Sequence, residues 1–158
     1  GIGSEFSFAI PYRPAGSTRT KLKGVLKDQP SGQFDWSSKK CLLVDDNKDV
    51  LVYLNRTLLD TGVQILTARS GREAIDIISN TPDIDVVLLD MQMPEMNGIE
   101  ATKEIRKLRK TLPIIAQTAF IFEDDKDIIL EAGCDACLIK PIRKEHHLTV
   151  LASFIKSN

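Results

Sequence analysis

Short, mostly apolar runs alternate with amphipathic segments along most of the chain. The runs are four or five residues long, as in strands that a parallel sheet buries on both faces. The segments between them place apolar residues three and four positions apart, which is the spacing of one helix face. We therefore predict strands at 41–44, 63–67, 85–89, 112–116 and 136–139, with a helix after each.

Capping residues mark where several predicted helices begin and end. Ser70 is suited to cap the second helix, which runs to about Asn80. Gly62 and Gly133 follow the first and fourth helices, where a left-handed residue commonly ends a helix. The apolar face of the first helix is predicted to contain Val50, Leu51, Leu54, Leu58 and Leu59, and the later helices to span 98–109, 124–132 and 144–155.

The alternation of five strands and five helices predicts an α/β fold with one sheet. Continuous apolar strands separated by helices indicate parallel pairing, with helices covering both faces. Because βαβ crossovers are right-handed, the predicted architecture is a doubly wound five-stranded parallel sheet. Residues 39–158 contain the whole pattern.

Residues 1–38 differ in composition from the rest of the chain. Phe6, Phe8 and Ile10 alternate with small residues, as in a short strand, and a stretch rich in Ser, Thr, Lys and Gly follows. A lone strand of this length is not stable by itself. We expect that its sheet either lies outside this sequence or is supplied by a neighbour. The Gly-Ser-Glu-Phe stretch could also be a cloning scar.

Composition fits a globular domain with additional chain at its N-terminus. Of the 158 residues, 42% are hydrophobic and 27% are charged, and no apolar run approaches the ~18–20 residues of a membrane span. The net charge of −1 gives no reason to expect nucleic-acid binding. Residues 1–40 carry a charge of +4 and residues 41–158 a charge of −5, which suggests a basic arm joined to an acidic domain.

The three cysteines, with no secretion signal, suggest reduced thiols and a cytoplasmic location. Cys134 and Cys137 form a C-x-x-C pair, but zinc would require two further ligands at suitable spacing. We therefore favour two small buried side chains over a redox or metal site. His146 and His147 are adjacent and point in different directions on a helix, and we expect both to be solvated.

Polar residues stand where four of the five predicted strands end. The carboxyl ends of parallel strands meet at one edge of the sheet, where ligands bind. Carboxylates clustered there would repel one another unless a hard cation such as Mg²⁺ binds them. The residues are Asp45 and Asp46 after the first strand, Asp90 after the third, Thr118 after the fourth and Lys140 after the fifth.

This set of groups suits phosphoryl transfer. A metal, a lysine and a hydroxyl can stabilise a phosphoryl group, and a carboxylate can be the nucleophile that forms an aspartyl-phosphate. Taken singly, the residues have ordinary explanations: Asp46 as a helix cap, Asp90 as a turn residue and Lys140 as a surface lysine. Their occurrence together at strand ends favours the functional interpretation.

Four segments of the chain also match a known family in order and spacing. CLLVDDNKD, DVVLLDMQMPEMNGIEATKEIR, LPIIAQTA and EAGCDACLIKPI closely resemble the receiver domain of two-component response regulators. The resemblance covers residues 39–158 and implies a flavodoxin-like (βα)5 fold. It also implies a domain that takes a phosphoryl group from a phosphohistidine with Mg²⁺, and then relays the group or signals.

The resemblance implies a role for each residue at the acidic edge. Asp90 matches the phospho-accepting aspartate, Asp46 the direct Mg²⁺ ligand, and Asp45 the acidic partner that acts largely through water. The backbone carbonyl of Gln92 matches the third protein ligand of the metal. Gln92 and Phe120 also occupy positions at which the family tunes the lifetime of the phosphoryl group.

The resemblance extends to the phosphoryl-binding residues and departs at one switch position. Thr118 matches the hydroxyl that binds the phosphoryl group, and Lys140 matches the lysine that pairs with it. The Lys140–Pro141 bond matches one that is usually cis. Cys137 stands where the family usually has the Tyr or Phe of a rotating switch, which calls the usual Thr–aromatic switch into question but leaves phosphorylation unaffected.

The N-terminal segment GIGSEFSFAIP resembles the last strand of a histidine-kinase ATP-binding domain. We therefore expect residues 1–38 to be the tail of such a domain plus a linker, within a hybrid sensor histidine kinase. The parent chain would then be a phosphotransferase, and it could be anchored in the inner membrane. The expected partners are the kinase's own phosphohistidine domain, a histidine phosphotransfer protein and a second copy in a homodimer, without nucleic acid and without membrane contact by this segment.

Three alternatives stay open from the sequence. The first is a stand-alone single-domain response regulator. The second is a Mg²⁺-dependent phosphatase with an aspartyl-phosphate, but such enzymes place D-x-D after the first strand, where this chain has Asp45-Asp46-Asn47. The third is a flavodoxin-like cofactor binder, which would need a phosphate-binding loop in place of the acidic edge.

Overall fold

Five strands form one parallel sheet in the computed structural model, which describes residues 34–119 and 123–155. They are β1 (Lys40–Val44), β2 (Gln64–Ala68), β3 (Val86–Asp90), β4 (Ile114–Thr118) and β5 (Ala136–Ile139). The strand order β2-β1-β3-β4-β5 places β1 at the point where the winding reverses. This order confirms the predicted doubly wound, flavodoxin-like architecture.

Five α-helices connect the strands and cover both faces of the sheet. They are α1 (Lys48–Leu58), α2 (Gly71–Asn80), α3 (Gly98–Leu108), α4 (Glu123–Glu131) and α5 (Lys144–Phe154). Ser70 caps α2 as predicted, because its side chain accepts a hydrogen bond from the backbone N–H of Glu73. None of the described helices combines the length and the apolar character that a membrane span requires.

The two faces of the sheet support separate apolar layers, because successive residues of a strand point to opposite faces. Leu42 and Leu89 belong to the layer that includes residues of α2, α3 and α4. Leu43 and Leu88 belong to the layer that includes residues of α1 and α5. Every residue of β3 and β4 is buried, which explains why these strands lack polar alternation.

The boundaries of β3 and β4 differ from the prediction. β4 begins at Ile114 rather than at residue 112, since Pro113 has no backbone N–H to donate to the ladder. β3 and β4 extend through Asp90 and Thr118, whereas the sequence placed these residues just beyond the strands. Both side chains are therefore held on regular backbone rather than on loops.

The end of the first helix also differs from the prediction. Leu59, which was expected on the apolar face, is 68% exposed. It begins a short 3-10 turn, Leu59–Thr61, whose altered helical pitch rotates the side chain away from the core. Gly62 ends this turn with a positive φ of 72°, as expected for a residue that follows a helix.

The folded unit begins before residue 39, where the sequence analysis placed the domain boundary. Trp36 is fully buried in the layer under α1 and α5, and its backbone N–H donates to the carbonyl of Thr61 at 2.7 Å. The ring of Phe34 packs against the indole, with centroids 5.0 Å apart. Hydrophobic periodicity missed this contribution because an isolated aromatic residue beside a polar linker forms no pattern.

The cysteines are free and buried, as the apolar interpretation of C-x-x-C predicts. Cys134 and Cys137 are 1% and 2% exposed and belong to the layer that contacts α3 and α4. Burial raises the pKa of each thiol to about 11. Both residues therefore contribute to packing as small apolar groups, with little thiolate at neutral pH.

The expectation that both adjacent histidines are solvated is wrong for His147. This residue is 1% exposed, and its Nε2 atom lies 3.1 Å from the side-chain nitrogen of the buried Gln117. The neighbouring His146 points elsewhere and is only partly buried. The reason is that α5 turns the His147 side of the helix towards the sheet, and this burial lowers the pKa of His147 to about 4.

This buried histidine predicts a specific loss of stability in acid. Below pH 6.5 the unfolded chain protonates His147, whereas the folded chain resists protonation down to about pH 4. The free energy of unfolding should fall by roughly 2 kcal/mol between pH 7 and pH 5 through this group. Urea unfolding at both pH values should show that a Gln117→Leu/His147→Leu variant lacks this component, and an unchanged pH dependence in the variant would contradict the burial of a neutral imidazole.

Candidate functional site

Three carboxylates meet at the carboxyl edge of β1 and β3. Val44 of β1 pairs with Leu89 of β3 in the parallel register, so the next residues, Asp45 and Asp90, lie side by side. Oxygen atoms of Asp45, Asp46 and Asp90 all lie within 4.8 Å of one another. The predicted acidic cluster is therefore present in the fold.

Asp45 and Asp46 occupy different environments. Asp45 is 1% exposed, and its Oδ1 atom accepts a hydrogen bond of 2.9 Å from the backbone N–H of Asn47. Asp46 is partly buried and does not cap α1, because the N-cap is Asn47, which accepts from the backbone N–H of Asp49 at 2.9 Å. Helix capping therefore does not account for the presence of Asp46 at this edge of the sheet.

The ammonium group of Lys140 balances part of this negative charge. Its Nζ atom lies 2.8 Å from Oδ2 of Asp45 and 3.2 Å from Oδ1 of Asp90. Burial alone would lower the pKa of Lys140, but the hydrogen bond to Asp45 and the charge of Asp90 raise it above its usual value. Lys140 therefore remains cationic between two carboxylates.

Asp90 is a desolvated carboxylate at the end of a central strand. It is 4% exposed, and its Oδ1 atom accepts a hydrogen bond of 3.2 Å from the backbone N–H of Gln92. Burial raises the pKa of Asp90, while Lys140 and the Gln92 N–H oppose this rise by favouring the charged form. The side chain of Gln92 is exposed, and the metal-binding role of its carbonyl remains a prediction.

Thr118 lies at the end of β4, and a backbone hydrogen bond connects it to Lys140. It is 4% exposed, and its carbonyl accepts a hydrogen bond of 2.7 Å from the backbone N–H of Lys140. The following Lys140–Pro141 bond is cis, as predicted. All five residues of the predicted site, Asp45, Asp46, Asp90, Thr118 and Lys140, thus lie at one edge of the sheet.

The residues expected to tune or switch the site are only partly described. Cys137 lies inside β5, paired with Ala116 of β4, and its small side chain is enclosed in the apolar core. Phe120 lies outside the described residues. The sequence analysis missed Asn47, which holds Asp45 and caps α1, although an Asn directly before a predicted helix was an available signal.

The donor set fits a hard divalent cation. Mg²⁺ prefers oxygen ligands and is commonly bound by one or two carboxylates, waters and phosphate oxygens. The three carboxylates offer oxygen atoms close enough to share one ion. Within the part of the chain that the structure describes, Lys140 forms ion pairs with Asp45 and Asp90 but not with Asp46. These residues could therefore hold Mg²⁺ while Lys140 stays near Asp90.

The doubly wound sheet thus carries three carboxylates and a lysine at the carboxyl edge of its strands. Residues 41–152 match the family of response regulator receiver domains. This match covers well over half of the chain, and the chain therefore belongs to the response regulator receiver family.

Two curated relatives show the contexts in which such a domain occurs. The sensor histidine kinase RcsC of Escherichia coli K12 is 36% identical over 148 residues, which cover 86% of this chain and 15% of RcsC. The polar-differentiation response regulator DivK of Brucella ovis is 34% identical over 122 residues, which cover 75% of this chain and 97% of DivK. The chain therefore spans a small part of RcsC and nearly the whole of DivK.

Solved structures confirm the CheY-like fold. The complex of CheX with CheY, BeF3 and Mg²⁺ from Borrelia burgdorferi is similar to this chain with a TM-score of 0.71 and 30% sequence identity. The match covers 75% of this chain and 90% of the compared chain.

The geometry predicts that Mg²⁺ stabilises the fold through Asp46. At a free concentration one hundred times its dissociation constant, one bound ion adds about 2.7 kcal/mol to the free energy of unfolding. Thermal unfolding should show this gain in the wild type and in an Asp49→Asn control, whose substituted side chain lies just beyond the cluster on α1. An Asp46→Asn variant should lose most of the gain, and an undiminished Mg²⁺ effect in that variant would exclude Asp46 as a ligand.

Proposed function

We propose that this domain accepts a phosphoryl group on Asp90 from a phosphohistidine, with Mg²⁺ bound by Asp45, Asp46, Asp90 and the backbone carbonyl of Gln92. The main support is the position of the Asp90 carboxylate, which is buried, close to two further carboxylates and 3.2 Å from the Lys140 ammonium. A desolvated carboxylate beside a fixed cation is suited to attack phosphorus, because little solvent has to be displaced on reaction.

The chemistry follows from the groups around Asp90. A carboxylate oxygen of Asp90 forms a bond to phosphorus as the bond between phosphorus and the donor imidazole nitrogen breaks. The nitrogen leaves with the bonding electron pair and takes up a proton from solvent. The product is an acyl phosphate on Asp90, and bound Mg²⁺ would supply neutralisation of charge on the phosphoryl oxygens.

Lys140 and Thr118 hold the transferred group. Lys140 already contacts the Asp90 carboxylate, so a phosphoryl oxygen attached there comes within reach of the same ammonium. The hydroxyl of Thr118, the last residue of the adjacent strand β4, would donate to a second phosphoryl oxygen. Their roles are binding and charge stabilisation, while Asp90 makes the new bond.

We further propose that the parent protein is a hybrid sensor histidine kinase. The support is the similarity of 86% of the chain to part of RcsC, together with the kinase-like segment GIGSEFSFAIP at residues 1–11. Residues 1–38 would then be the tail of the kinase ATP-binding domain and a linker. The donor would be the phosphohistidine domain of the same chain, a histidine phosphotransfer protein would be the acceptor, and the site would face the cytoplasm.

The stand-alone regulator is the second candidate, and DivK supports it. DivK matches this chain over nearly its whole length, so a receiver domain of this kind can constitute a complete protein. The distinction between the two parents does not alter the chemistry at Asp90. The phosphatase and cofactor-binding alternatives have no comparable support, since the chain belongs to the receiver family.

Phosphotransfer from a purified phosphohistidine donor tests the proposal. With Mg²⁺ present, wild-type protein should take up radiolabelled phosphate, and an Asp90→Asn variant should not, because an amide is not a nucleophile that forms an acyl phosphate. Asp83→Asn is a matched control, since Asp83 is an exposed aspartate at the opposite edge of the sheet. Labelling of Asp90→Asn at the wild-type rate would contradict the proposal.

The chelator EDTA and the variant Lys140→Met provide independent arms of this experiment. Removal of Mg²⁺ should abolish labelling of the wild type. Lys140→Met should lower the labelling rate by at least about a hundredfold, which corresponds to loss of one charged contact to the phosphoryl group. A rate in Lys140→Met within a factor of two of the wild type would exclude Lys140 from phosphoryl binding.

A further inference from the structure

Two polar side chains meet inside the apolar layer between the sheet and α5. Gln117 lies two residues after Ile115 on β4 and so points to the same face of the sheet. His147 lies four residues before Leu151 on α5 and so lies on the same helix face. Each polar residue is 1% exposed, and their side-chain nitrogens are 3.1 Å apart.

Stability alone does not account for this pair. A buried amide and imidazole lose their hydration, and one mutual hydrogen bond recovers only part of that cost. The Nδ1 atom of His147 is buried without a hydrogen-bond partner among the residues that the structure describes. Two apolar residues of similar volume would fill the space without leaving a polar atom unsatisfied.

The pair lies at the junction of the two backbone segments that carry the phosphoryl-binding groups. Gln117 directly precedes Thr118 on β4. The backbone N–H of His147 donates to the carbonyl of Arg143, the N-cap of α5, which follows Lys140 by three residues. The Lys140 N–H in turn donates to the Thr118 carbonyl, so these hydrogen bonds and the short backbone segments 117–118 and 140–143 together form a closed loop beside the site.

The residue at the switch position offers no aromatic side chain to carry a signal away from the phosphoryl site. Cys137 has no ring that could rotate between a buried and an exposed position, and its side chain is enclosed in the core. A change at Thr118 therefore cannot reach the surface through an aromatic side chain on β5. The side chain of Gln117 offers a route from the same strand, through the opposite face of the sheet, to α5.

We propose that Gln117 and His147 form a positioning pair that couples occupation of the phosphoryl site to α5. This inference rests on the proposed function and deepens it by naming the route of the signal. The pair holds the end of β4 against α5, so that Thr118 and Lys140 are set at the spacing that a phosphoryl group requires. When the group binds, the strand end shifts and the hydrogen bond between Gln117 and His147 changes.

A hydrogen bond suits this task better than apolar contact. Its energy depends steeply on distance and angle, whereas apolar packing tolerates small displacements of a strand past a helix. In the neutral imidazole one nitrogen donates and the other accepts, so a shift of the Gln117 amide alters the electronic state of the whole ring. The ring nitrogens of His147 should therefore report binding events at Asp90.

Nitrogen NMR of the full chain labelled in its histidines tests the coupling. The probe is beryllofluoride with Mg²⁺, and its binding is followed independently by the fluorine signal of the bound species. The ring-nitrogen shifts of His147 should change in step with that signal, and those of His146, the only other histidine in the chain, should change much less. Asp90→Asn should abolish both the bound fluorine signal and the response of His147.

Variants of the pair supply a second readout. A Gln117→Leu variant should bind beryllofluoride without a His147 response. The double variant Gln117→Leu/His147→Leu should bind it about fivefold more weakly than wild type, which is the low end of ordinary coupling between sites. If either variant fails to fold, the wild-type measurement still decides the question.

The outcomes separate this inference from the proposed function. A bound fluorine signal that depends on Asp90, together with unmoved His147 nitrogens, overturns the coupling and leaves phosphoryl acceptance intact. Equal shifts of His146 and His147 also overturn the coupling, because they indicate a general change of α5. Absence of any bound signal in wild-type protein overturns both.

Discussion

The ammonium group of Lys140 lies between two carboxylates from different strands, and the geometry of the acidic edge depends on this interaction. Asp45 and Asp90 are nearly inaccessible to solvent, so water does little to screen their repulsion. Lys140 contacts both at 3.2 Å or less. Asp46 is not paired with Lys140 and can bind a metal ion, which adds positive charge to the cluster. The negative charge of a phosphoryl group would then balance the charges of both the metal ion and Lys140.

Contacts at the start of β5 help to fix the position of Lys140, which follows the end of that strand. β5 has only four residues and lies at the edge of the sheet, where it pairs with one neighbour. The guanidinium of Arg106 donates to the carbonyl of Gly133 at 2.8 Å and to the carboxylate of Asp135 at 2.7 Å. That carboxylate also accepts from the backbone N–H of Ile114 at 2.8 Å, so one ionic group anchors the starts of both β4 and β5. The strand ends that carry Thr118 and Lys140 are thereby kept in register.

Most of the fold and of the candidate site followed from the sequence, because both depend on local signals. Apolar runs gave the five strands, and parallel topology brought their polar ends, such as Asp90 and Lys140, to a single edge. The misplaced residues depend on partners far along the chain. Trp36 is buried against a layer formed by α1 and α5, and His147 is buried because Gln117, thirty positions earlier, accommodates its ring. No periodicity within one segment can reveal such pairings.

Chemical trapping of the phosphorylated residue tests the central claim, which is that Asp90 becomes an acyl phosphate. Borohydride reduces an acyl phosphate to an alcohol and so converts a phosphorylated aspartate to homoserine. After phosphorylation in the presence of Mg²⁺ and reduction, peptide mass spectrometry should find homoserine at position 90 and at no other aspartate. Homoserine at Asp45 or Asp46, or phosphate that survives reduction on His146 or His147, would contradict the account.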